Sequence, residues 1–450
     1  MLNYSANGSS GYNLTRSLRF RSSASANLTR TMSASGTITT WSMWVKRGTL
    51  GTYQALVGFS YSGTTSFGMQ FNSDNTLNLY NYSSGFTLNL TTTQVFRDPS
   101  AWYHLVFTID TTQATASNRA KIYVNGVQVT AFGTATYPSQ NSSLNIGTST
   151  SVGIGVLSQQ ATQYFDGYLA EFNLIDGQAL TPSSFGSTNS LTGVWQPAKY
   201  TGTYGTNGFY LPFTDNSALT TASNAGLGKD FSGNSNYWTT NNISITSGTT
   251  YDSMTDVPTL TSATAANYCV MNPLNALSTT GGNTTTLSNA NLNVLMPNTS
   301  ASRTAFATMG VSSGKYYWEA TITTGSINTY YPGIGINTNL NALPTDQSGG
   351  DASGYMYLSN GQKFNSGSLT AYGSSFTTND VMGIALDMDA GTITFYKNNT
   401  SQGQAFSGIS GTAVPCVVGQ NNAALAINFG QRPFSYTPPT GYVALNTYNL

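Results

Sequence analysis

The hydrophobic positions along the chain form short runs in which apolar and polar residues alternate. Residues 38–45, 67–71, 102–109 and 168–174 each carry aromatic or β-branched side chains at alternating positions. Because successive side chains of a strand point to opposite faces of a sheet, this period of two predicts half-buried β-strands. Turn-rich clusters separate the runs, so the pattern predicts antiparallel sandwiches and not strands that alternate with helices.

Two hairpins are predicted from local sequence. Asn125 and Gly126 separate two β-branched runs, and both residue types tolerate the positive φ that a two-residue hairpin turn requires. A second hairpin is predicted to turn at residues 388–391, between the apolar run that ends at Asp387 and the run that begins at Thr392. Both turns favour strand pairing between neighbours in the sequence.

The composition supports the same fold class. Charged residues make up only 7% of the 450 residues, and Glu171 and Glu319 are the only glutamates. Exposed helix faces are normally rich in Glu and Lys, so the scarcity of these two residues argues against helices. The formal net charge is zero and no basic stripe occurs, so a nucleic-acid partner is not expected.

Other sequence features narrow the class of protein further. No stretch of 18 apolar residues occurs and the first residues do not resemble a secretory signal, so neither a membrane span nor a membrane partner is expected. Cys269 and Cys416 are too few to form a disulfide framework and are expected to be buried thiols.

The N-terminal part resembles a known β-sandwich family. Four blocks occur in order at residues 42–46, 102–110, 122–126 and 165–172, and a closing segment follows at 180–185. They resemble the laminin-G-like, or concanavalin A-like, lectin/glucanase jelly roll. The resemblance implies two curved antiparallel sheets, with any ligand on the concave face or at the loop rim.

The C-terminal part resembles the SPRY domain, a bent β-sandwich used for protein recognition. The resemblance is carried by the Trp318-Glu319 pair, by Gly-Ile-Gly-Ile at 333–336, by the hairpin at 383–399 and by Asn-Phe-Gly at 428–430. In that family specificity resides in variable loops, so the resemblance implies no particular ligand. Gly333 and Gly335 are interpreted as strand glycines, because no helix follows them as a phosphate loop would require.

The predicted architecture is therefore all-β, with two antiparallel sandwiches of the jelly-roll type and an irregular aromatic connecting segment. The predicted domains are residues 1–190 (laminin-G-like), 191–262 (connecting extension) and 263–450 (SPRY-like). The extension contains too many Trp, Tyr and Phe residues for a free linker, and we expect it to pack on the first domain and to carry the last strand of its sheet.

Catalytic residues are not predicted. His104 is the only histidine and lies within a strand pattern, so we interpret it as structural. Glu171 and Glu319 lie in different predicted domains and cannot form the carboxylate pair of a glycosidase, although an aspartate pair stays open. Asp387 and Asp389 are interpreted as polar residues of a strand end and a turn. The chain is expected not to be an enzyme.

No cofactor and no metal are predicted, with calcium as the alternative. Asp110, Asp166 and Asp176 offer carboxylate oxygens of the kind that laminin-G-like domains sometimes use for calcium. Calcium takes six to eight oxygen ligands, and no consecutive acidic loop supplies them.

Tyrosines in turn-rich contexts, whose rings we expect to be exposed, are the candidate carbohydrate-binding residues. Their rings stack on sugar faces and add a hydroxyl group at little entropic cost. The alternative is that they pack in the core or at a subunit contact. The candidates are Tyr61, Tyr80, Tyr82, Tyr330, Tyr331, Tyr355 and Tyr357.

The combination of the two modules, with few charges, resembles virion proteins of tailed bacteriophages. The resemblance implies a tail-fibre or head-decoration protein on the particle surface that binds other virion proteins and a host glycan or protein, as a homo-oligomer. The alternatives are a bacterial carbohydrate-binding surface module and a polysaccharide depolymerase.

Overall fold

The protein is almost entirely built from β-strands. The computed structural model describes residues 12–32, 36–61, 64–146, 150–219, 223–275, 284–300, 302–324, 332–339 and 352–450. The helices within these ranges are short 3-10 turns at Ser22–Ala24, Ala116–Asn118, Pro182–Ser184, Gly226–Gly228 and Pro273–Asn275. None of the described helices has the length and apolar character needed to span a bilayer. The predicted all-β fold class is confirmed.

The chain divides into two compact units. Unit 1 comprises Met1–Ile245 and Asp252–Thr261, and unit 2 comprises Thr246–Tyr251 and Ser262–Leu450.

The strands of unit 1 follow the predicted alternating runs. They are β1 (Ser17–Phe20), β2 (Asn27–Met32), β3 (Ile38–Arg47), β4 (Gln54–Tyr61), β5 (Thr65–Phe71), β6 (Thr76–Ser83), β7 (Phe86–Val95), β8 (Trp102–Asp110), β9 (Ala120–Val124), β10 (Val127–Gln128), β11 (Phe132–Thr136), β12 (Thr150–Ile154), β13 (Gly167–Asp176), β14 (Gly186–Thr188), β15 (Trp195–Pro197), β16 (Phe209–Leu211), β17 (Thr239–Asn241) and β18 (Ser253–Met254).

Two large antiparallel sheets form the sandwich of unit 1. The first has the order β10-β9-β8-β3-β13-β1-β18, with β16 also paired to β13, and the second has the order β11-β7-β6-β5-β4-β12-β2-β17. Alternate residues of each strand enter one hydrophobic cluster, to which β3 contributes Trp41, Met43 and Val45 and β6 contributes Leu77 and Leu79. Fully burying a side chain of this kind contributes about 1.5–3 kcal/mol, so the period of two is the main source of stability.

The aromatic segment after residue 190 adds strands to both sheets of unit 1. Within it, β16 pairs with β13, β17 pairs with β2 and β18 pairs with β1. Its aromatic residues Phe209 and Trp238 enter the same hydrophobic cluster as the residues of the first 190 positions.

The first predicted hairpin is present. Asn125 and Gly126 have φ values of 48° and 83° and connect β9 to β10. Two successive positive φ values match the twist of the flanking strands, which explains why this dipeptide occupies the turn.

The strands of unit 2 form a second sandwich. They are β19 (Thr286–Ser288), β20 (Asn293–Leu295), β21 (Arg303–Phe306), β22 (Lys315–Thr324), β23 (Gly333–Asn337), β24 (Gly354–Leu358), β25 (Gln362–Asn365), β26 (Ser368–Ala371), β27 (Val381–Asp387), β28 (Thr392–Lys397), β29 (Thr400–Phe406), β30 (Val414–Gly419) and β31 (Ala424–Asn428). One sheet has the order β19-β20-β31-β22-β27-β28-β29, and the other has the order β21-β30-β23-β24-β25-β26.

The core of unit 2 lies between its two sheets. Trp318 and Ile322 of β22 and Tyr357 of β24 belong to the central cluster. Met356 and Leu358, which flank Tyr357 and therefore point to the opposite face of β24, are buried in a smaller cluster. Both faces of this strand are thus buried.

The second predicted hairpin and the two thiols are as expected. Residues 388–391 form the turn between β27 and β28, and Gly391 has a φ of 62°. The Asp387 carboxylate accepts a hydrogen bond from the Ala390 N–H at 2.9 Å. Cys269 and Cys416 are both buried and form no disulfide.

Candidate binding surfaces

The candidate tyrosines of unit 1 lie on the second sheet and are less exposed than expected. Tyr80 is only 8% exposed, so the prediction of an exposed ring is wrong there. Tyr82 is half-buried, and the side chain of Tyr61 lies outside the described residues. Phe86, which sequence reasoning missed, is 54% exposed and contacts both Tyr80 and Tyr82 edge to face at 6.2 and 5.2 Å.

A glycine explains why Tyr80 is buried. Gly68 is the cross-strand partner of Tyr80, and a Cβ atom at Gly68 would lie 2.5 Å from the Tyr80 ring. The ring therefore lies flat against the strand where no side chain intervenes. Burial raises the pKa of the Tyr80 hydroxyl to about 12.

Two further glycines lie beside Gly68 in neighbouring strands and form a cross-strand row with it, and side chains of a loop cover them. Gly58 pairs with Gly68 on one side and with Gly153 on the other. Cβ atoms at Gly58 and Gly153 would contact Leu157 and Val156, both of which are buried. Part of this outer face is consequently filled by the protein itself and is not available to a ligand.

The two candidate tyrosines of unit 2 that lie within the described residues do not form an exposed platform either. Tyr357 is fully buried, and its hydroxyl donates a hydrogen bond to the carbonyl of Ser374, so the expected exposure is wrong. Tyr355 is half-buried and contacts Phe406 edge to face at 5.4 Å. Tyr330 and Tyr331 lie outside the described residues. Sugar binding by these tyrosines stays a prediction.

His104 occupies a buried aromatic site in unit 1. Its ring stacks on Trp44 at a centroid distance of 4.9 Å. Its Nδ1 accepts a hydrogen bond from the indole N–H of Trp195 at 2.9 Å, and its Nε2 lies 2.9 Å from the Ser42 hydroxyl. Burial lowers the pKa of His104 to about 3, so the imidazole is neutral at pH 7.

The same contacts determine which nitrogen of His104 carries the proton. The indole N–H is only a donor, so Nδ1 must be the acceptor, and Nε2 of the neutral ring therefore carries the hydrogen. Nε2 then donates to Ser42, whereas a general base would have to accept the serine proton. The Ser42–His104 pair is arranged as a structural hydrogen bond and not as an activated nucleophile.

Glu171 and Glu319 occupy similar environments in the two units. Glu171 lies at a bulge of β13 with a φ of 51°, and its carboxylate accepts hydrogen bonds from the hydroxyls of Tyr12 at 2.6 Å and Tyr210 at 2.8 Å. Burial raises the pKa of Glu171 to about 7, although both hydroxyls act in the opposite direction.

Glu319 is held by backbone donors. It accepts from the N–H groups of Ser435 at 2.8 Å and Tyr436 at 2.9 Å, and the Tyr317 hydroxyl lies 3.3 Å away. Burial raises its pKa as well. Each glutamate thus fastens a distant segment to its own sandwich.

The three calcium candidates are not brought together into one site. The Asp110 carboxylate accepts hydrogen bonds from the side chains of Thr112 and Gln113. Asp166 accepts a hydrogen bond from the Ser22 hydroxyl, and Asp176 accepts one from the Asn207 side-chain amide. Within the described residues, no group of three or more acidic, histidine or cysteine side chains could hold a metal ion.

A polar cleft of about 510 Å³ lies in the aromatic segment of unit 1. It is lined by Gly202, Thr203, Tyr204, Gly205, Thr206, Ser232 and Asn234. The Asp230 carboxylate beside the cleft accepts four hydrogen bonds. The donors are the Ser232 hydroxyl and the backbone N–H groups of Tyr210, Ser232 and Asn236. These four donors make Asp230 a loop-stabilising residue.

In unit 2, side chains tie together the edge strands β26 and β29, which belong to different sheets, and the turns beside them. We call residues 366–375 and 399–404 the tied rim. The Tyr372 hydroxyl donates to the Gly403 carbonyl, and Gln402 accepts from the Ser374 N–H at 2.9 Å. The Lys363 ammonium lies 5.2 Å from the Phe406 ring centre and donates to the Ala405 carbonyl at 2.7 Å. The rim contains no charged residue, although much of it is exposed.

Comparison with protein families confirms both modules. Residues 20–184 match the concanavalin A-like lectin/glucanases superfamily, and residues 315–432 match the SPRY domain. The chain therefore combines an N-terminal lectin/glucanase-type domain with a C-terminal SPRY domain.

Curated relatives match a limited part of the chain. ATP-dependent RNA helicase DDX1 of Xenopus laevis is 32% identical over 145 residues, which are 31% of this chain and 18% of that protein. ATP-dependent RNA helicase Ddx1 of Drosophila melanogaster is 33% identical over 142 residues, which are 30% of this chain and 18% of that protein. The chain thus spans less than a fifth of the length of these relatives.

Two solved structures are also similar. The SPRY domain of human HERC1 is 24% identical, covers 30% of this chain and 87% of its own, and has a TM-score of 0.28. Stonustoxin is 20% identical, covers 36% of this chain and 27% of its own, and has a TM-score of 0.29.

These findings correct the functional expectation drawn from the sequence. Two of the matching curated relatives are named as RNA helicases of a frog and a fly, which contradicts the assignment to a bacteriophage virion, tail fibre or host-attachment protein. The expected location on a particle surface rested on that assignment. The expectations about catalysis, cofactors and oligomeric state stay predictions.

Proposed function

We propose that this protein is a non-catalytic recognition protein whose SPRY domain binds an extended segment of another protein. The family match at residues 315–432 supports the choice of the C-terminal unit, because it covers the tied rim. The observation that carries the proposal is the pair of side-chain hydrogen bonds that ties the two parts of this rim together in the absence of a ligand.

A rim that is ordered in advance favours binding. A flexible loop loses conformational entropy when it binds, and preorganisation removes much of that loss from the free energy of association. The rim also offers hydroxyl, amide and backbone groups but no charge, so it suits an uncharged polypeptide stretch better than an anionic polymer.

The arrangement of the other polar groups supports a non-catalytic role. The Ser42–His104 pair has the wrong proton position for nucleophile activation. The carboxylates of Glu171 and Glu319 are occupied by tyrosine hydroxyls or backbone donors and belong to separate units. Each of these groups stabilises its own sandwich.

The experiment is a selection of displayed random peptides on the immobilised full chain, followed by calorimetry with a selected peptide. Leu369 is 42% exposed in the rim, and Leu369→Asp is expected to weaken binding by about tenfold or more because it places an unpaired charge in the interface. Val127→Asp is the matched control, since Val127 is 70% exposed on unit 1. The proposal fails if no peptide sequence is enriched or if both variants weaken binding equally.

A further inference from the structure

The edges of the four large sheets are protected to different degrees. An open edge strand presents unpaired N–H and C=O groups, and proteins normally shield it by shortness, bulges, charge or a covering segment. In the described part of unit 1, β10 and β18 contain two residues each, β17 contains three, and β11 carries a bulge between Phe132 and Thr134. All of these edges are poor templates for another strand.

Three of the edges in unit 2 are also protected. β19 contains only three residues. The Phe306 carbonyl of β21 accepts from the Asn272 N–H at 2.8 Å, so that another segment covers this edge. The pairing of β29 with its partner strand shifts register on both sides of Thr394. In addition, the side chains of Lys363 and Tyr372 donate hydrogen bonds to carbonyl groups of β29.

β26 is different from these edges. Its residues Ser368–Ala371 are all exposed, and they include no charge and no proline. No register shift interrupts its pairing with β25. Like several of the other edges it is short, with four residues, but unlike the other described edges of unit 2 longer than three residues it carries no bulge, no charge and no side chain bound to its carbonyls within the described part of the chain.

The hairpin that ends in β26 determines which backbone groups face outward. Ser366 and Gly367 form a two-residue turn with φ values of 52° and 68°, and Asn365 pairs with Ser368. In such a hairpin the flanking pair is hydrogen-bonded and alternate pairs are not. The Tyr372 N–H donates to the Gly361 carbonyl at 3.1 Å, which agrees with that alternation. The N–H and C=O groups of Leu369 and Ala371 therefore point away from β25.

We infer that β26 is a docking edge to which an extended segment of a partner protein adds as a further β-strand. This inference rests on the proposed function and specifies how the ligand is held. The partner's backbone would pair with Leu369 and Ala371, while alternate side chains would lie beside the exposed Leu369 and beside Thr370. Because Leu369 neighbours the buried Phe364 across the hairpin, the segment needs apolar residues at every second position and no proline within the paired stretch.

A partner segment suits this edge better than a second copy of the chain. A four-residue strand is only about 14 Å long, so pairing between two β26 strands alone would bury far less than the roughly 1,000 Å² of a stable interface. A peptide is not limited in this way, because it can continue along the tied rim beyond β26.

The test uses backbone changes that separate edge pairing from other kinds of binding. Ala371→Pro removes an outward N–H and is tolerated at a solvent-facing edge, so the chain is expected to keep its thermal midpoint while the affinity for a selected peptide falls at least tenfold. Ala371→Ser keeps the N–H and is the matched control. Single N-methylation along the peptide is expected to reduce affinity at alternate positions only, with a period of two.

Three other results would contradict the inference, and each leads to a different conclusion. If a peptide binds but Ala371→Pro leaves its affinity unchanged and N-methylation shows no period of two, the edge inference is overturned and the proposed function stands. If no peptide is selected, both fail. If the chain forms a dimer that Ala371→Pro dissociates and that peptides do not disrupt, the edge binds a second copy and the choice of a partner segment is wrong.

Discussion

Lys46 and Asp256 form a fully buried ion pair in unit 1. Lys46 Nζ lies 2.7 Å from Asp256 Oδ2, and both side chains have no exposed surface. Asp256 also accepts a hydrogen bond from the indole N–H of Trp102 at 3.0 Å. Because 210 positions separate the two charged residues, the pair fastens the end of unit 1 to its third strand.

Removal of one partner of this pair is expected to destabilise unit 1 strongly. Lys46→Met leaves a buried carboxylate without its cation, and such changes typically cost about 3–5 kcal/mol. Lys46→Met combined with Asp256→Leu is expected to cost less than Lys46→Met alone, since no uncompensated charge remains. Urea unfolding of the three proteins measures the difference.

The control for this prediction is an exposed ion pair. Lys229 Nζ and Asp215 Oδ2 lie 3.7 Å apart, and the lysine side chain is 36% exposed. Lys229→Met is expected to change the free energy of unfolding by less than about 1 kcal/mol. Equal effects of Lys46→Met and Lys229→Met would contradict the role assigned to burial.

The carboxyl of Glu171 is expected to make stability fall as the pH rises. Burial raises its pKa from 4.5 to about 7, so between these values the folded state holds a proton that the unfolded state has released. This contribution to the free energy of unfolding is fully present below pH 4.5 and is lost as the pH rises to 7. Between these values the free energy of unfolding falls by up to about 1.4 kcal/mol per pH unit. Thermal unfolding of wild type and Glu171→Gln checks this.

The informative quantity is the difference between the two proteins. Glu171→Gln cannot titrate, so its stability relative to wild type should increase from pH 4.5 to pH 7. Tyr12→Phe keeps the carboxyl and should keep the pH dependence. A difference between Glu171→Gln and wild type that does not change with pH would refute the buried-acid assignment.

His104 is expected to make stability fall as the pH decreases, which is opposite to the effect of Glu171. Burial lowers its pKa from 6.5 to about 3, so below pH 6.5 the unfolded state gains a proton that the folded state resists. Its contribution is complete above pH 6.5 and is lost as the pH falls toward 3. His104→Gln should therefore gain stability relative to wild type on acidification.

A matched variant separates titration from packing in this site. Ser42→Ala removes the partner of Nε2 but leaves the imidazole, so it should retain the acid sensitivity that His104→Gln lacks. Unfolding midpoints between pH 3 and pH 8 distinguish the two variants. Equal pH profiles for both would show that His104 does not titrate on unfolding.

Local sequence patterns were sufficient to predict the fold class and the hairpin at Asn125-Gly126. These features depend on alternation and on the φ values that neighbouring residues tolerate. The ion pairs of Asp252 and Asp256 could not be predicted in this way, since their partners Arg19, Arg21 and Lys46 lie more than 200 positions away.

The candidate tyrosines show where pattern reasoning stops. Alternation places Tyr80 on the face opposite Leu79, but its burial depends on Gly68 in another strand. Tyr357 belongs to a strand that is buried on both faces, so alternation carries no information about its exposure. A candidate site on exposed rings therefore required the packing of neighbouring strands to be known.

The contact between Gly68 and Tyr80 gives a last prediction about unit 1. A Cβ atom at Gly68 would lie 2.5–2.7 Å from the Tyr80 ring and hydroxyl, so Gly68→Ala must displace the ring. Overpacking of this kind typically costs about 1–3 kcal/mol. Gly85 has no atom within 4 Å of the corresponding position, so Gly85→Ala is the control and should change stability by less than about 0.5 kcal/mol.

A double-mutant cycle identifies the cause of the loss at Gly68. Tyr80→Ala removes the ring, so Gly68→Ala should destabilise the Tyr80→Ala background much less than wild type, and the coupling free energy should exceed about 0.5 kcal/mol. Additive effects would mean that Gly68 is required for its backbone alone. Because the same cross-strand row continues through Gly58 and Gly153, a confirmed coupling would also support our view that the protein fills this sheet face with its own side chains.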